Sequence, residues 1–528
     1  MREKLIAFTN SKYSIPFLSL LVFSVLAYNH TKFMNVDGLI QLFAGEEIFS
    51  GIGYVNQGSN FWPPVFAILI GLLSTFFSGF TAGKIISVIA AAGSVLLTYN
   101  IAYRLIKDRH LAMVAQLFVA TNAFFVTFAI IVDHHMIDVF CMLLFIDLLT
   151  RAYENNKQQN LTFVLLGLLA GICMLIRTAD VTLVCITLVS IWFFFKPGRA
   201  LQHLGLFLVS FALIYGLWGY YTWATKGKAF NSWYSLYFVV MLDGATQQAR
   251  DPMMQALHYK GSVLNLILDN LKVYGSIFYN NVISALKITI LKAEALVFLL
   301  PIAAIRILKS DKLRVWLVLA VLTMGHIALV SLYSVVEEYL LTWSALMTIT
   351  ALHALKDFLQ GKYLKYSMAI LLALMVFQVH RTVKVRNHFF ERYEPEVSGA
   401  ASAVRFLRKH DADIEKKYVM SSHPQFAYYL NSRYIGYPTR YHGCDIAGAA
   451  SLEGLGAVDR SFLIVRPGGM TAEQLLSLKA DYVIYNRGMG ISLGKKCDYL
   501  KKGFDSEEVS EIYRDHEIVI WSTRQLSS

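Results

Sequence analysis

Residues Phe61 to Phe80 read FWPPVFAILIGLLSTFFSGF, and the topology of the whole chain depends on whether this segment crosses a membrane. It is apolar enough to do so. Counted as a span, however, it would place most of the later basic loops outside, although loops rich in Lys and Arg resist export. Pro63 and Pro64 suit the start of a helix. We therefore predict a juxtamembrane or re-entrant helix on the outer face, with an ordinary span as the alternative.

The composition indicates an integral membrane protein. Of the 528 residues, 56% are hydrophobic and only 16% are charged, whereas soluble domains carry roughly 25% charged residues. A basic start followed by an apolar stretch from Ile15 to Tyr28, with no small-residue cleavage site, predicts a retained signal anchor. The net charge of +12 fits cytoplasmic loops, so we expect membrane lipids and no nucleic acid as partners.

Apolar runs that can cross about 30 Å of hydrocarbon predict a polytopic α-helical membrane protein with about 11 transmembrane helices. With the N-terminus in the cytoplasm, the short outer connections hold only Lys32, Lys84 and Arg177 as basic residues, the asymmetry that membrane insertion favours. The segment HRTVKVR, residues 380–386, runs against it by putting positive charge outside the last span. The predicted spans are 13–29, 83–105, 111–131, 137–151, 161–176, 179–195, 202–222, 285–305, 315–333, 339–356 and 364–380.

This topology places several acidic residues on the same outer side, each at the end of an apolar span. A carboxylate beside a bilayer is costly and is commonly functional. Several of them on one face predict a catalytic cavity there. The acids are Asp37, Asp133, Asp138, Glu337 and Glu338.

Two long polar regions are also predicted to lie outside. Residues 223–281 form a loop rich in aromatic and amide side chains, which is either a lid or a structural cap. Residues 391–528 form a separate extracytoplasmic α/β domain after the transmembrane domain of residues 1–390, which includes an outer loop at 30–82. Short β-branched runs in that domain alternate with helical stretches. The runs are YVMSS, RYIGYP, SFLIVRP, DYVIYN and HEIVIWS, and the helical stretches are 398–410, 424–430 and 471–478.

The cysteines give no metal motif. Cys141, Cys173 and Cys185 lie in predicted spans, where cysteine behaves as a small apolar residue. Cys444 and Cys497 both lie in the predicted outer domain, where a disulfide would form only in an oxidising compartment. The sequence contains no CxxC or HExxH pattern, so structural zinc is not expected.

The order of several motifs resembles the GT-C glycosyltransferases, in particular the protein O-mannosyltransferases and the lipid A aminoarabinose transferases. An outer acid, a glycine-rich turn and a Pro-Pro segment appear at 36–66, and a second acidic motif, VDHHMIDVFCMLLF, at 132–145. GLLAGICMLIRTAD at 167–180 resembles the Gly-x-x-x-Gly segment that ends in a basic residue. EEYLLT at 337–342 resembles a late Glu-Arg-Tyr element, and SSHPQFAYYLNSRYIGYP at 421–438 the segment after the final span.

The resemblance implies an inverting transferase that moves a sugar from a polyprenyl-phosphate carrier to a protein, lipid or glycan acceptor. Asp37 then corresponds to the base that takes the acceptor proton, unless it only caps the helix that starts near Leu39. Asp138 matches the second outer acid, with Asp133 as the competing choice. A bacterial inner membrane, with the cavity on its outer face, is the expected location.

Other residues on the outer side are candidates for substrate binding. Lys84 and Arg177 can neutralise a lipid phosphate, or they only snorkel to the interface. Asp133, His134 and Asp138 form either a set of metal ligands or a helix-end hydrogen-bond network; Mg or Mn is the metal to test. Glu337, Glu338 and Tyr339 are candidates to bind sugar hydroxyls or to tune Arg177.

Two other functions remain to be weighed against a transferase. A transporter or flippase of lipid-linked sugars also uses intramembrane acids, but such proteins usually show paired inverted halves, which this sequence lacks. A membrane sensor with an outer ligand-binding domain would not need acids in several separate outer connections. The sequence therefore favours the transferase.

Overall fold

The structure, a computed structural model, consists mainly of helices followed by a small mixed sheet. The helices of the membrane region are α1 (Ser14–Asn29), α2 (Val36–Phe49), α3 (Val65–Ser74), α4 (Gly79–Ile106), α5 (Arg109–Ala120), α6 (Ala123–Ala129), α7 (His135–Glu154), α8 (Gln159–Met174), α9 (Val181–Phe194), α10 (Pro197–Lys226), α11 (Val263–Asp269), α12 (Leu271–Ile288), α13 (Leu300–Ile307), α14 (Leu313–Ser331), α15 (Leu341–Ala354) and α16 (Leu364–Val397). The structure describes residues 11–30, 36–49, 63–154, 159–226, 263–289, 296–332, 337–356, 364–397, 399–421, 425–430, 432–436, 480–486 and 509–523.

Most predicted spans coincide with a described helix. The span 111–131 is a broken helix, because α5 and α6 meet at an angle of 64° where Asn122 accepts hydrogen bonds from the backbone N–H groups of Phe124 and Phe125. The span 285–305 corresponds to the end of α12 and to α13. Helix α16 continues for 34 residues, so the basic segment at 380–386 is helical rather than a loop.

Several described helices are long and apolar enough to cross a membrane. Four satisfy this criterion, or five if the bent pair α5–α6 counts as one span. Several shorter apolar helices accompany them, among them α1, α8 and α9. The count of about 11 spans stays a prediction.

The segment that decides the topology forms a short helix. Helix α3 has 10 residues and follows Pro64 at its N-cap position. At 1.5 Å per residue it is about 15 Å long, roughly half of the hydrocarbon thickness. The backbone N–H of Val65 donates to the carbonyl of Leu175, 3.1 Å away, beside the end of α8. These features agree with a helix that does not cross the membrane.

Helix α8 packs closely on α10 through the Gly-x-x-x-Gly pair. A Cβ on Gly167 would lie 2.2 Å from the carbonyl oxygen of Phe207, and one on Gly171 would lie 2.8 Å from the Cβ of Ile214. Only glycine permits this approach of the two backbones. The packing fixes the end of α8, which leads directly into Arg177.

The C-terminal part contains a five-stranded sheet in the order β2-β1-β3-β5-β4. Strands β1, β2 and β3 run parallel, and β5 is antiparallel to both β3 and β4. Four strands and two helices lie where the sequence predicted them; β4 was not predicted, and the runs at 461–467 and 471–478 lie outside the described residues, as do Cys444 and Cys497. The elements are α17 (Ala400–His410), β1 (Tyr418–Ser421), α18 (Gln425–Leu430), β2 (Arg433–Gly436), β3 (Tyr482–Asn486), β4 (Val509–Arg514) and β5 (Ile518–Thr523).

The two helices of this region pack on the sheet around one apolar core. Leu407 of α17 and Phe426 of α18 are fully buried there with Val419 and Ile520. Gly399 precedes α17 with φ of +77°, a left-handed conformation that disfavours side chains. The packing is that of a small α/β domain.

The chain divides into two compact units. One comprises residues 1–30, 60–234 and 274–387, and contains most of the apolar helices. The other comprises 31–59, 235–273 and 388–528. The second unit therefore combines parts of the two predicted outer loops with the C-terminal region. The predicted division into a transmembrane domain of residues 1–390 and an extracytoplasmic domain of residues 391–528 stays a prediction.

Candidate functional site

An acidic residue and two histidines meet where α7 begins. Asp133, His134 and His135 are almost completely buried. The Nδ1 of His134 lies 2.8 Å from one carboxylate oxygen of Asp133, and the Nε2 of His135 lies 3.4 Å from the other. Ser87 of α4 donates to the backbone carbonyl of Asp133 at 3.3 Å, which ties this turn to the neighbouring helix.

Arg177 lies next to this turn; it is an extended residue three positions after the end of α8 and directly before a 3₁₀ turn. Its side chain is only 4% exposed. One guanidinium nitrogen lies 3.4 Å from Asp138, and the other donates to the Nδ1 of His135 at 2.9 Å. Since Arg177 can only donate, the Nδ1 of His135 accepts, and its Nε2 carries the hydrogen that faces Asp133. Tyr339 completes the surroundings with its ring 4.2 Å from the guanidinium carbon.

Asp180 belongs to the same group of side chains, although the sequence analysis did not select it. It ends the single 3₁₀ turn that follows Arg177 and is fully buried. Its carboxyl group lies close enough to the charged groups of Asp138 and Arg177 for the charges of the three groups to interact. Asp180 is an acid at the start of a predicted span, so the rule that selected the other acids would have found it as well.

The buried His326 of α14 contacts residues of two other helices, α9 and α15. Its Nδ1 lies 3.2 Å from the hydroxyl of Thr182, and its ring lies 5.0 Å from that of Trp343. We call the set of Asp133, His134, His135, Asp138, Arg177 and Asp180 the Arg177 cluster. Its ionisable groups are three carboxyl groups, two imidazoles and one permanently charged guanidinium. Buried charge of this kind needs compensation from protons or from a bound cation.

Lys84 has carbonyl partners at the end of another helix. Its ammonium donates to the carbonyl of Ala27 at 2.5 Å and to that of His30. It therefore stabilises the C-terminal end of α1, where a cation is favourable. An ammonium carries three donors, and the ring of Phe80 also lies 4.5 Å from this one. Gly83, its neighbour, packs against Val132, so α4 passes directly beside the Arg177 cluster.

The remaining predicted acids are placed by their backbones. Asp37 is the second residue of α2, which begins at Val36, so it lies inside the first turn rather than at the N-cap position. Glu337 opens the 3₁₀ turn Glu337–Leu340, which also holds Tyr339. The side chains of Asp37 and Glu337 lie outside the described part of the structure, and Glu338 is half-buried.

The donors at the start of α7 could hold a metal ion. Asp133, His134 and His135 can each offer one ligand atom, and these atoms lie within 4.8 Å of one another. A carboxylate with two imidazoles suits Mn²⁺ better than Mg²⁺, which prefers oxygen ligands. The metal set predicted from the sequence contained Asp138 instead of His135, whereas here Asp138 faces Arg177.

A comparison with known protein families gives a match over part of the chain. The family model for dolichyl-phosphate-mannose-protein mannosyltransferase matches residues 62–223, which contain the whole Arg177 cluster. No curated protein sequence matches the chain.

Solved structures match the chain over nearly its full length. The structure of ArnT from Cupriavidus metallidurans bound to undecaprenyl phosphate shares 12% identity, with 98% of each chain covered and a TM-score of 0.58. The oligosaccharyltransferase of Archaeoglobus fulgidus in complex with zinc and sulfate shares 13% identity over 97% of this chain and 73% of that chain, with a TM-score of 0.54. The same enzyme with an inhibitory peptide and dolichol phosphate shares 12% identity over 97% and 74%, with a TM-score of 0.50.

These matches confirm the resemblance to the GT-C glycosyltransferases that the sequence predicted. The solved structures share the fold of almost the whole chain. The family model matches the sequence of the segment that contains the Arg177 cluster. Together they show that the chain shares its fold with these structures and that residues 62–223 resemble the mannosyltransferase family in sequence.

Proposed function

We propose that this protein transfers a sugar from a polyprenyl-phosphate-linked donor to an acceptor, with inversion, on the extracytoplasmic face of a bacterial inner membrane. The acceptor is a protein, a lipid or a glycan. The observation that carries this proposal is a buried guanidinium held by Asp138, His135 and Tyr339 in a chain with the GT-C fold. Relatives of that fold include one bound to undecaprenyl phosphate and one bound to dolichol phosphate.

The chemistry requires that negative charge be stabilised on a leaving phosphate. An acceptor hydroxyl or amine attacks the anomeric carbon, the bond from that carbon to the phosphate oxygen breaks, and the phosphate leaves with the electron pair. Arg177 suits the leaving phosphate because a guanidinium can bind it through two parallel N–H bonds. Its contacts hold it in one orientation before the substrate arrives. Lys84 can add its third N–H to the same anion.

The acceptor must also lose a proton during attack. We assign this step to Asp37, whose carboxylate takes the proton as the new bond forms. Asp138 has another role in this scheme, because its carboxyl group orients Arg177. Asp37 belongs to the first turn of α2, near the positive end of that helix dipole, which favours an ionised, proton-accepting carboxylate.

A divalent cation fits the donors at the start of α7. Asp133 and His134 would hold Mn²⁺, or Mg²⁺ with lower preference, and His135 would join them only in its other tautomer, with the hydrogen bond from Arg177 broken. Such an ion, when bound, would offset the buried carboxylates and attract phosphate oxygen. The fit rests on the closeness of Asp133 and His134 and on the excess of carboxyl groups over guanidinium groups in the Arg177 cluster.

The test of the donor and the base is transfer of radiolabelled sugar from polyprenyl-phosphate donors by the purified full chain, beside Asp37→Asn. We expect transfer by the wild type and a loss of ~10²-fold or more in Asp37→Asn, with donor binding retained. Donor binding without transfer in either protein, across protein, lipid and glycan acceptors, would favour a flippase.

The test of the metal uses the same assay after chelation. Treatment with EDTA should lower transfer, and Mn²⁺ should restore it more fully than Mg²⁺. Mn²⁺ binding followed by electron paramagnetic resonance should disappear in Asp133→Asn and persist in Asp147→Asn, a buried acid elsewhere in the same helical unit. Full transfer by metal-free protein would contradict the metal assignment and leave the donor assignment intact.

A further inference from the structure

Helix α2, which carries Asp37, touches the helix that connects the first two strands of the C-terminal sheet. The rings of Phe43 in α2 and Tyr428 in α18 lie 5.9 Å apart at an angle of 72°, an edge-to-face contact. Both residues belong to the same compact unit. Aromatic pairs with this geometry stabilise a fixed mutual orientation beyond what their buried area contributes.

The sheet side of this contact is firmly anchored. Helix α18 has only six residues, but Phe426, Ala427 and Leu430 are fully buried in the core of the α/β region. The strands on either side of it, β1 and β2, pair in parallel along four residues each. Tyr428 therefore projects from a short connection whose position is set at both ends by the sheet.

The α2 side of the contact is well packed as well. Leu39, Leu42 and Ala44 are buried. Asp37 lies six residues before Phe43 in the same helix, so a shift or rotation of α2 also moves Asp37. A rigid helix transmits such a displacement along its length.

We propose that Tyr428 is a positioning residue, which holds α2 so that Asp37 can accept the proton of the acceptor. This inference rests on the proposed function, because it gives Asp37 the role of base. It makes the C-terminal α/β region part of the catalytic apparatus rather than an independent module. The contact needs the ring of Tyr428, whereas its hydroxyl has no part in it.

The experiment compares Tyr428→Ala with Tyr428→Phe in the full chain, with Phe406→Ala as a matched control. Phe406 makes its own aromatic contact in the same region, 4.6 Å from Tyr513, and so tests the effect of general loosening. Two quantities are measured in each variant. One is hydrogen exchange of the backbone amides of residues 36–49, and the other is the steady-state kinetics of sugar transfer.

Tyr428→Ala should speed amide exchange in residues 36–49 and lower kcat by about 10- to 100-fold, since a misplacement of about 1 Å can cost ~10²-fold. The KM for the donor should change little, because Asp37 acts on the acceptor. Tyr428→Phe should restore both quantities, and Phe406→Ala should leave exchange in residues 36–49 unchanged.

Several outcomes would overturn the inference. Unchanged exchange in Tyr428→Ala would show that the contact does not hold α2. Faster exchange with an unchanged kcat would show that it holds α2 but does not position the base. Equally fast exchange of residues 36–49 in Phe406→Ala would mean that general destabilisation, and not the loss of this contact, loosens α2. Failure of the proposed function has a separate signature, which is a wild type that transfers no sugar; amide exchange still decides whether Tyr428 holds α2.

Discussion

Two groups of charged side chains link helices of the membrane region, and they differ in charge balance and in burial. The Arg177 cluster has three carboxyl groups and one guanidinium. The second group, which we call the Arg104 cluster, consists of Arg104, Asp147, Arg151, Glu154 and Lys312 and links α4, α7 and α14. It has two carboxylates and three cations. Arg104 lies 3.0 Å from Glu154 and 3.6 Å from Asp147.

Every carboxylate of the Arg104 cluster contacts a cation, as is usual in a structural network. Asp147 is buried, and Arg151 contacts it at 2.5 Å with the i,i+4 spacing of one helix. Lys312 contacts both Glu154 and the backbone carbonyl of Arg104. Its cations are partly exposed, from 13% for Lys312 to 47% for Arg151, so water and headgroups can solvate the excess charge.

The Arg177 cluster is instead almost completely buried and contains more acid than fixed positive charge. Such an arrangement is costly for stability alone, since unpaired buried charge destabilises the fold. The contrast teaches that charge balance and exposure, rather than the presence of ion pairs, separate a candidate site from a structural clamp. The two clusters should therefore respond differently to substitution.

The largest expected effect is on activity, at Arg177. Arg177→Lys keeps the charge but loses the planar fork and the stacking on Tyr339, so kcat/KM for transfer should fall by ~10²–10³-fold. Arg104→Lys in the other cluster should change kcat/KM by less than about threefold, because its role is structural. Transfer kinetics of both purified variants measure the difference, and equal losses would remove the distinction between the clusters.

Next in size is a loss of stability at Asp147. Asp147→Ala removes the buried carboxylate that Arg151 and Arg104 contact, and the loss of these charged contacts should lower stability by about 2–3 kcal/mol. Transfer per folded molecule should stay near that of the wild type. Thermal unfolding in detergent, together with the transfer assay on the folded fraction, checks both expectations. A variant with wild-type stability and reduced transfer would assign Asp147 to the functional side of the comparison.

A smaller effect should come from the helix packing that leads to Arg177. In Gly167→Ala the new Cβ would lie 2.1 Å from the hydroxyl of Ser210 and 2.2 Å from the carbonyl of Phe207, so α8 and α10 must separate. Overpacking of this kind should cost about 1–3 kcal/mol. Gly205→Ala in α10, where a Cβ meets nothing within 4 Å, is the matched control and should be neutral or slightly stabilising. Unfolding midpoints of the two variants decide, and equal midpoints would contradict the close packing.

The smallest loss of stability is expected at Asp515, in the turn between β4 and β5. This carboxylate is close to water and serves as a comparison for the buried ones. Partial burial raises the pKa of Asp515, but hydrogen bonds from Tyr513, the backbone N–H groups of Ile518 and Glu517, and Ser402 lower it below its usual range. A lowered pKa adds stability above the unfolded-state pKa of about 3.9, and this is lost as pH falls through the folded-state pKa. Asp515→Asn should cost about 1 kcal/mol at pH 7.

The pH dependence distinguishes charge from shape at this position. The difference in unfolding midpoint between wild type and Asp515→Asn should shrink as pH falls from about 5 to about 2.5, because the wild-type carboxylate becomes protonated. A difference that stays constant over this range would mean that the ionised carboxylate contributes nothing, and that any effect comes from the altered side-chain geometry.

The sequence predicted much of the fold because its signals are local. Apolar runs located most helices, and β-branched runs located β1, β2, β3 and β5. Strand β4, with VSEIYR, was missed because its polar residues gave no apolar run; it is recognised only in the structure, by its pairing with β5. The bend between α5 and α6 was missed as well, since the signal that produces it is a single capping residue, Asn122.

The candidate site was predicted in part for the same reason. Asp133, Asp138, Arg177 and Tyr339 stand at the ends of apolar spans, where position alone makes a charged or polar residue conspicuous. The partners of each residue depend on helix packing between distant parts of the chain. The sequence therefore could not predict that Lys84 lies close to two carbonyls at the end of α1, or that His135 lies close to Arg177.

The place of β5 in the sheet constrains when the C-terminal region can fold. Strand β5 lies between β3 and β4, and Gly399 and its neighbours pack against Ile518 at the start of that strand. The last described strand to be synthesised is thus an interior one. During biosynthesis, β1, β2 and β3 must wait, with one edge of β3 unpaired, until Ile518–Thr523 has been translated. We expect folding of this region to be post-translational, and premature stops before Ile518 to yield chains that quality-control proteases remove.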